Sequence, residues 1–575
     1  MQAAKQLIGT RQKLLSSRLL SLPSSSIGSS RAYDVKHYEA KNEPALEYTQ
    51  GSKERKDVEA ALSKFASDGT IKIPICIGDR EIHLDGAKRQ VAPFDHKRTL
   101  ATFDYAPPAL IQEAIDNCLE ARERWEATPW EERAKVMLRA ADMLAGPMRA
   151  NIVAATMLGQ AKTVYQAEID AAAELIDFLR FNVGNMAKLA QYQPISTKTA
   201  ENTMVYRGME GFWAAVTPFN FTAIGGNLAA SPAFAGNSTV WKPTDSALLS
   251  NYLAYKVLRE AGLPPGVVNF VPADGPQFGA EITKRPELAG VNFTGSVPTF
   301  RSIWSGVAAN LANYRTFPRL IGECGGKNFH FVHPSADLEQ VANSTIRSAY
   351  EYSGQKCSAC SRLYVPASMW PKLRDRLLEL RASLKFGSPL DIGSTFSSAV
   401  IDDKAFRRVS GYASELPKSD SANLQLLGGG KCDDSVGYFV EPTIIETRDP
   451  RHRIMQEEIF GPVLAVYAYP DNQVDEALNL VDSTSPYALT GAVFSTDEEF
   501  VKLASRRLRQ ATGNFYINVQ STGSVVGQQP FGGARQSGTN DKAGGPHYLL
   551  KFLSPMAIKR ATKPVAGHLP AHLIR

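Results

Sequence analysis

Cysteine is scarce in this chain: six among 575 residues, at positions 76, 118, 324, 357, 360 and 432. Thiols so few and scattered exclude a disulfide framework and fit a reducing compartment. Histidine is thin as well, nine in all, with no HExxH. No Cys or His cluster has zinc-site spacing apart from Cys357-Ser358-Ala359-Cys360, which lacks a second ligand pair nearby, so no metal is expected. Long apolar runs are missing too. The longest charge-free stretch, Gly211 to Trp241, is long enough for a membrane span. It contains Pro218, Pro232, Asn220, Asn227, Asn237 and several glycines, the pattern of buried strands and turns around a site. Repeats and low-complexity tracts are absent beyond a serine-rich start.

Acidic residues are lacking before Asp34, whereas residues 1–31 carry Lys5, Arg11, Lys13, Arg18 and Arg31. These five supply most of the formal charge of +6, so the body is nearly neutral and no nucleic-acid partner is suggested. Eight serines lie in the first 30 residues, with leucines at helical spacing. An Arg- and Ser-rich, acid-free, amphipathic start describes a transit peptide over 1–31, of mitochondrial rather than chloroplast type. The remaining length predicts two or three domains.

What is present is a graded pattern. Apolar residues at three- and four-residue steps predict helices over 108–127, 130–160 and 165–191. From 211 strands alternate with helices: strands at 212–217, 238–242, 267–271 and 290–294, helices near 227–236, at 246–261 and from about Pro298. This predicts an α/β fold with a parallel sheet wrapped by helices. A second α/β region follows, with a helix near 337–351, a strand at 362–366, a helix at 368–384, and short strands within 459–469 and 513–518.

Polar residues fall where the strands end. Asn220 follows the strand at 212–217, Lys242 ends that at 238–242, Gly295-Ser296 follow that at 290–294, and Glu323 follows a short run near 319–321. In an open α/β sheet that edge is the ligand crevice.

The chemistry centres on Ser353-Gly354-Gln355-Lys356-Cys357-Ser358-Ala359-Cys360 and on Gly322-Glu323-Cys324-Gly325-Gly326-Lys327, one offering a thiol and the other a carboxylate. A thiol of ordinary pKa, ~8.5, needs a cation, a helix dipole or a base to act as a nucleophile. Lys356 is adjacent, but adjacent side chains diverge. Attack on an aldehyde creates an oxyanion, for which Asn220 and the Cys357 N–H are candidate donors. The resulting hemithioacetal can lose hydride to a nicotinamide. Glu323 suits as the general base for hydrolysis of the thioester left behind. Taken alone, Cys357 reads more often as structural, Lys242 and Glu458 as solvated charges, and Gly295-Ser296 as a turn; Cys360 and Cys324 read as packing residues. Only the constellation reverses those readings.

At this point the chain resembles the aldehyde dehydrogenase superfamily from roughly Tyr33 to Lys559. The resemblance rests on seven motifs in order: TPFNF (217–221), WKPTD (241–245), FTGS (293–296), GECGGKN (322–328), GQKCSACSR (354–362), EEIFGP (457–462) and PFGG (530–533). It implies Cys357 as nucleophile, Glu323 as general base and Asn220 as oxyanion donor. It places Thr217, Lys242, Asp245, Gly295, Ser296, Val297, Pro298, Thr299, Glu458 and Phe460 at a dinucleotide, with Lys242 at the adenosine ribose, Gly295-Ser296 at the pyrophosphate and Glu458 at the nicotinamide ribose. The family's further glycine after FTGS is replaced here by Pro298 and Phe300. Pro298 can open a helix facing the pyrophosphate, so that role survives. Asp245 stands where many members have Glu. If it points inward, it favours a ribose 2′-hydroxyl over a 2′-phosphate, hence NAD.

Residues 316–333, 351–366 and 521–548 match a branch that oxidises an amino-acid semialdehyde, glutamate γ-semialdehyde, to glutamate. SGTNDKAGGP (537–546) is the most diagnostic stretch. For the α-carboxylate the resemblance implies Ser358, Gly523 and Ser524. Glu174, on a predicted helix, either faces the substrate ammonium or is a surface charge. The implied architecture is a Rossmann-like NAD-binding domain (32–187 and 210–322), a catalytic domain (323–520), and an oligomerisation flap with a C-terminal tail (188–209 and 545–575). A homodimer or higher homo-oligomer in the mitochondrial matrix is implied. Competing readings are a dehydrogenase for another semialdehyde such as succinate semialdehyde, against which 521–548 argues, and a CoA-acylating member, against which Glu323 argues. Outside the class stand a Cys-x-x-Cys redox or metal protein and a catalytically dead relative.

Overall fold

The strand–helix alternation from 212 onward builds one parallel sheet. In the computed structural model, which describes residues 33–85, 88–564, 567–568 and 570–573, the expected transit segment 1–31 lies outside the described residues. Strands Phe212–Val216, Ser238–Lys242, Val268–Phe270, Leu288–Thr294 and Arg319–Glu323 pair in parallel, in the spatial order third, second, first, fourth, fifth. Ile75–Ile77 and Arg80–Ile82 extend the edge antiparallel. The order reverses between Phe212–Val216 and Leu288–Thr294, and a crevice opens at such a switch point beyond the strands' carboxyl ends.

A second sheet holds the later strands. Thr443–Thr447, Val463–Tyr469, Cys360–Pro366, Asn328–Val332, Thr490–Phe494 and Asn514–Ile517 run parallel, with Leu424–Gly428 antiparallel at one edge. These strands are largely buried on both faces, as helices covering both sides require. A separate antiparallel pair joins Ala200–Gly208 to Leu553–Ala561 over nine residue pairs. The chain is thus α/β, built chiefly on two mainly parallel sheets, with this strand pair standing apart from them.

Three helices differ from the sequence expectation. The run 130–160 breaks at Gly146-Pro147 into Trp130–Ala145 and Arg149–Gln160. The run 165–191 contains a π-helical turn, Glu168–Ala173, between Val164–Ala167 and Glu174–Ala190. Such turns insert an extra residue and re-aim the side chains around them. The helix expected near 227 begins earlier, at Thr222, and runs to Phe234 with Pro232 inside it. Gly225-Gly226 reads as a turn but permits close packing: a Cβ would lie 2.1 Å from Asn251 Oδ1 at Gly225 and 2.8 Å from Leu175 at Gly226. This helix is buried all round, which explains its lack of polar periodicity. Among the described residues no helix is long and apolar enough to cross a membrane.

Candidate active site

Several residues expected at a dinucleotide lie at strand ends near the switch point. Thr217, just past its strand, is buried; its hydroxyl accepts from Trp241 Nε1 at 3.2 Å. Lys242 ends the neighbouring strand and donates from Nζ to the Pro243 carbonyl at 3.2 Å. Burial holds its ammonium below the usual lysine range, with Asp245 and Asp274 acting the other way. Asp245 accepts a hydrogen bond from the Tyr105 hydroxyl. Gly295 N–H donates to the Glu323 carbonyl at 3.1 Å, tying the turn to the next strand. Ser296 caps the helix Val297–Ala309 by accepting from Thr299 N–H, and Pro298 lies in its first turn. The donor set suits a dinucleotide: helix N-terminal amides for phosphate, carboxylates for ribose hydroxyls and one ammonium.

The thiol stands on a bent turn. Tyr352 and Ser353 both have φ of 53°, in the left-handed region. Cys357 is partly exposed in an otherwise buried segment, and its carbonyl accepts from Asn328 Nδ2 at 2.6 Å. Burial first, then the charges of Glu323, Glu458 and Glu174, push the thiol well above its usual range. The adjacent Lys356 does not pair with it but turns to Glu351 at 3.3 Å and Asp170 at 3.8 Å. Asn220 Nδ2 donates to the Gln355 carbonyl at 3.0 Å, two residues before the thiol.

Glu323 ends its strand with Oε2 buried and without a hydrogen bond. Desolvation raises its carboxyl well above the usual range; Lys542 and the Gly533 N–H offset this, while Asp541 adds to it. The stretch from Ser537 runs alongside. Cys324 N–H donates to the Ser537 carbonyl at 2.8 Å, Thr539 N–H to the Gly322 carbonyl at 2.9 Å, and Gly322 N–H to Thr539 Oγ1 at 2.9 Å. Lys542 Nζ holds the Gly513 and Gly532 carbonyls at 2.7 and 2.9 Å. Sequence reasoning singled out 537–546 without giving Lys542 a role; a lysine in an otherwise small-residue run was the available signal.

Glu458 Oε1 accepts from Gly326 N–H at 2.9 Å, and burial pushes its carboxyl up to about 7. Phe460 follows with φ of 54° and packs edge-on to Phe219, ring centres 5.7 Å apart. Glu458, Glu323 and Glu174 come from three elements, and the charged form of each disfavours the Cys357 thiolate.

Of the residues expected at the substrate, Ser358 is buried, and its carbonyl accepts from Thr490 Oγ1 and Ser521 Oγ, each at 3.2 Å. Gly523 takes φ of 85°, and Ser524 spends its hydroxyl on the Gln529 carbonyl at 2.6 Å. Glu174 is not a surface charge. It opens the helix after the π turn, its Oε2 is buried without a hydrogen bond, and burial raises its carboxyl well above the usual range. Two further residues were missed in the sequence. Tyr516 is buried and close enough to Ser524 and Cys357 to be affected by both. His330 receives the Ser521 N–H at 3.3 Å. Cys360 is buried, its Sγ directed at the Arg362 carbonyl at 3.5 Å, and all six cysteines are free.

A switch-point crevice, a thiol and an unpaired buried carboxylate define an aldehyde dehydrogenase architecture. The Aldehyde dehydrogenase family description matches residues 84–558, and the chain belongs to that family. It is 57% identical over 532 residues to the mitochondrial delta-1-pyrroline-5-carboxylate dehydrogenase of Homo sapiens, covering 92% of this chain and 94% of that protein. Identity to the mitochondrial delta-1-pyrroline-5-carboxylate dehydrogenase of Dictyostelium discoideum is 47%, over 93% of this chain and 95% of that one. Among solved structures, the Delta-pyrroline-5-carboxylate dehydrogenase of Mycobacterium tuberculosis bound with NAD superposes with a TM-score of 0.89 at 44% identity, over 93% of this chain and 98% of that one.

Proposed function

We propose that this chain is an NAD-dependent dehydrogenase that oxidises L-glutamate γ-semialdehyde, in equilibrium with 1-pyrroline-5-carboxylate, to L-glutamate in proline degradation. The observation that carries this reading is near full-length identity to delta-1-pyrroline-5-carboxylate dehydrogenases, with 57% of residues shared with one of them.

In this reading Cys357 attacks the aldehyde, and Asn220 together with the Cys357 N–H receives the oxyanion. The thiol is held protonated at rest by burial and three carboxylates, so its proton must leave to a base in the same pocket. NAD, when bound, supplies the hydride acceptor that converts the hemithioacetal on Cys357 to a thioester. Lys242, Asp245, Thr217, the turn Gly295 to Thr299, Glu458 and Phe460 would hold that dinucleotide. Glu323 then takes a proton from the hydrolytic water; a carboxyl raised by desolvation is a stronger base near neutral pH than an ordinary one. Ser358 and the Gly523-Ser524 turn would bind the α-carboxylate, and Glu174 the ammonium.

The division into an NAD-binding unit (32–187 and 210–322), a catalytic unit (323–520) and a flap with a tail (188–209 and 545–575) belongs to the same proposal. The strand pair 200–208 and 553–561 exposes Val205, Met556 and Ile558, which supports homodimerisation or higher assembly through the flap. The mitochondrial relatives support a mitochondrial location, and the basic start of the chain a matrix one.

The test is an initial-rate comparison of pyrroline-5-carboxylate with succinate semialdehyde, using NAD and NADP. Pyrroline-5-carboxylate with NAD should give the highest kcat/KM, and Cys357→Ala should abolish it. A preference for succinate semialdehyde would overturn the reading.

A further inference from the structure

Two buried lysines beside the site have no part in the scheme above. Lys162 is 0% exposed, and its Nζ meets Asp170 Oδ2 at 2.5 Å. That ammonium lies 3.6 Å from the centre of the Tyr352 ring and 4.7 Å from that of Phe221. Lys356 Nζ reaches Glu351 and the same Asp170 oxygen, and lies 6.0 Å from the Phe221 ring centre.

The partners of these lysines come from three elements that carry the site. Asp170 sits on the π-helical turn that leads into Glu174. Glu351 and Tyr352 belong to the turn before Cys357. Phe221 follows Asn220. Tyr352 holds a left-handed backbone, which non-glycine residues keep only when their surroundings enforce it. Its buried hydroxyl has no hydrogen bond, so the ammonium on its ring face is the polar contact that fixes the side chain.

The charges do not balance. Lys162 and Lys356 offset Asp170 and Glu351, leaving Glu174, four residues beyond Asp170, with a buried oxygen and no partner. A buried carboxylate lacking a counter-charge is costly. The groups acting on Glu174 besides burial are Asp170 and Asp177, which disfavour its charge, and Lys162 and Lys356, which favour it.

We propose that Lys162, with Lys356, is a positioning residue: the two ammoniums brace the Cys357 turn against the Asn220 loop and favour the charged form of Glu174. The inference rests on the reading of Cys357 as nucleophile. It adds a buried cation pair on which the geometry of the nucleophile and the charge of Glu174 both depend.

The experiment uses the full chain and any aldehyde that the wild-type protein oxidises, so that a failure on pyrroline-5-carboxylate counts against the proposed function and not against the brace. Lys162→Met, Lys162→Arg, Lys356→Met, Glu174→Gln and the double variant Lys162→Met/Glu174→Gln are compared by thermal melting, kcat, both KM values and the pH profile of kcat/KM. Lys162→Met should lower kcat at least tenfold with KM for NAD within twofold of wild type. It should also move the acid limb to higher pH, because Glu174 loses a favouring cation. Lys162→Arg should recover most of both effects, and the limb shift should vanish in the Glu174→Gln background. A folded Lys162→Met with wild-type kcat and limb overturns the proposal, as does a limb shift that persists without Glu174. If Lys162→Met does not fold, Lys356→Met must show the limb shift, and its absence overturns the proposal equally.

Discussion

The hydroxyl of Ser521 donates to the carbonyl oxygen of Ser358 at 3.2 Å, joining the loop at 521–524 to the turn that bears the thiol. The same hydroxyl lies 3.0 Å from Ser348 Oγ, which accepts from Cys360 N–H. The pocket expected to grip the substrate carboxylate and the turn expected to attack its aldehyde are thus one hydrogen-bonded unit. A substrate held at both ends gains from that rigidity, since small misplacements of reacting groups are costly.

Ser521→Ala should therefore loosen the carboxylate end. A buried hydrogen bond is worth about 1 kcal/mol, so KM for the semialdehyde should rise roughly five- to tenfold while KM for NAD stays constant. Steady-state kinetics with each substrate varied in turn measure both. An equal rise in the two KM values would point to general loss of fold instead.

His330 makes the same unit acid-sensitive. It is fully buried; its Nε2 receives the Ser521 N–H, which leaves Nδ1 to donate to Thr345 Oγ1 at 2.9 Å. Burial lowers its pKa to about 3, against about 6.5 in the unfolded chain. Between those values the unfolded chain binds the extra proton, so stability is lost as pH falls from 6.5 toward 3. The slope is about 1.4 kcal/mol per pH unit for this group. At pH 5 this amounts to about 2 kcal/mol relative to pH 7. Denaturant unfolding at the two pH values should give a smaller difference for His330→Gln than for the wild type.

Glu323→Gln should separate the two halves of the reaction. It removes the base while leaving Cys357, Asn220 and the cofactor residues untouched. The expected outcome is a burst of NADH near one equivalent per site, followed by a rate reduced at least a hundredfold. Rapid-mixing absorbance and intact mass of the acylated protein test it. Steady turnover at the wild-type rate would remove Glu323 from the base role.

Much of this was legible in the sequence, because parallel strands and their helices are written in local patterns and the polar residues stand at the strand ends. Phe212–Val216, Ser238–Lys242 and Leu288–Thr294 fall within two residues of expectation. The early start of the helix Thr222–Phe234 was hidden because Gly225 and Gly226, turn-formers locally, serve long-range contact with Asn251 and Leu175. The burial of Glu174 was hidden because it stands just after a π turn, which one-dimensional periodicity does not record. The role of Lys542 depends on a carboxylate more than 200 positions away, a pairing that spacing cannot express.

Gly325 and Glu458 give the sharpest test of the cofactor side. A Cβ at 325 would lie 2.0 Å from Glu458 Oε2 and 2.2 Å from Oε1. What it meets is the tip of a side chain, so the carboxylate can swing aside at modest cost to the fold, breaking its 2.9 Å bond from Gly326 N–H. Gly325→Ala should raise KM for NAD tenfold or more, change KM for the semialdehyde little, and lower Tm by only a few degrees. Glu458 also sets a pH dependence. Its pKa is raised to about 7 by burial, so the carboxylate that would accept from a ribose hydroxyl forms only as pH rises through that value. NAD affinity in the wild type should therefore climb between about pH 6 and 8, and Glu458→Gln should flatten the climb. Titrating NAD binding by protein fluorescence across that range reads both variants. A wild-type affinity that is level with pH would place Glu458 away from the ribose, and Gly325→Ala would then be expected to act on stability alone.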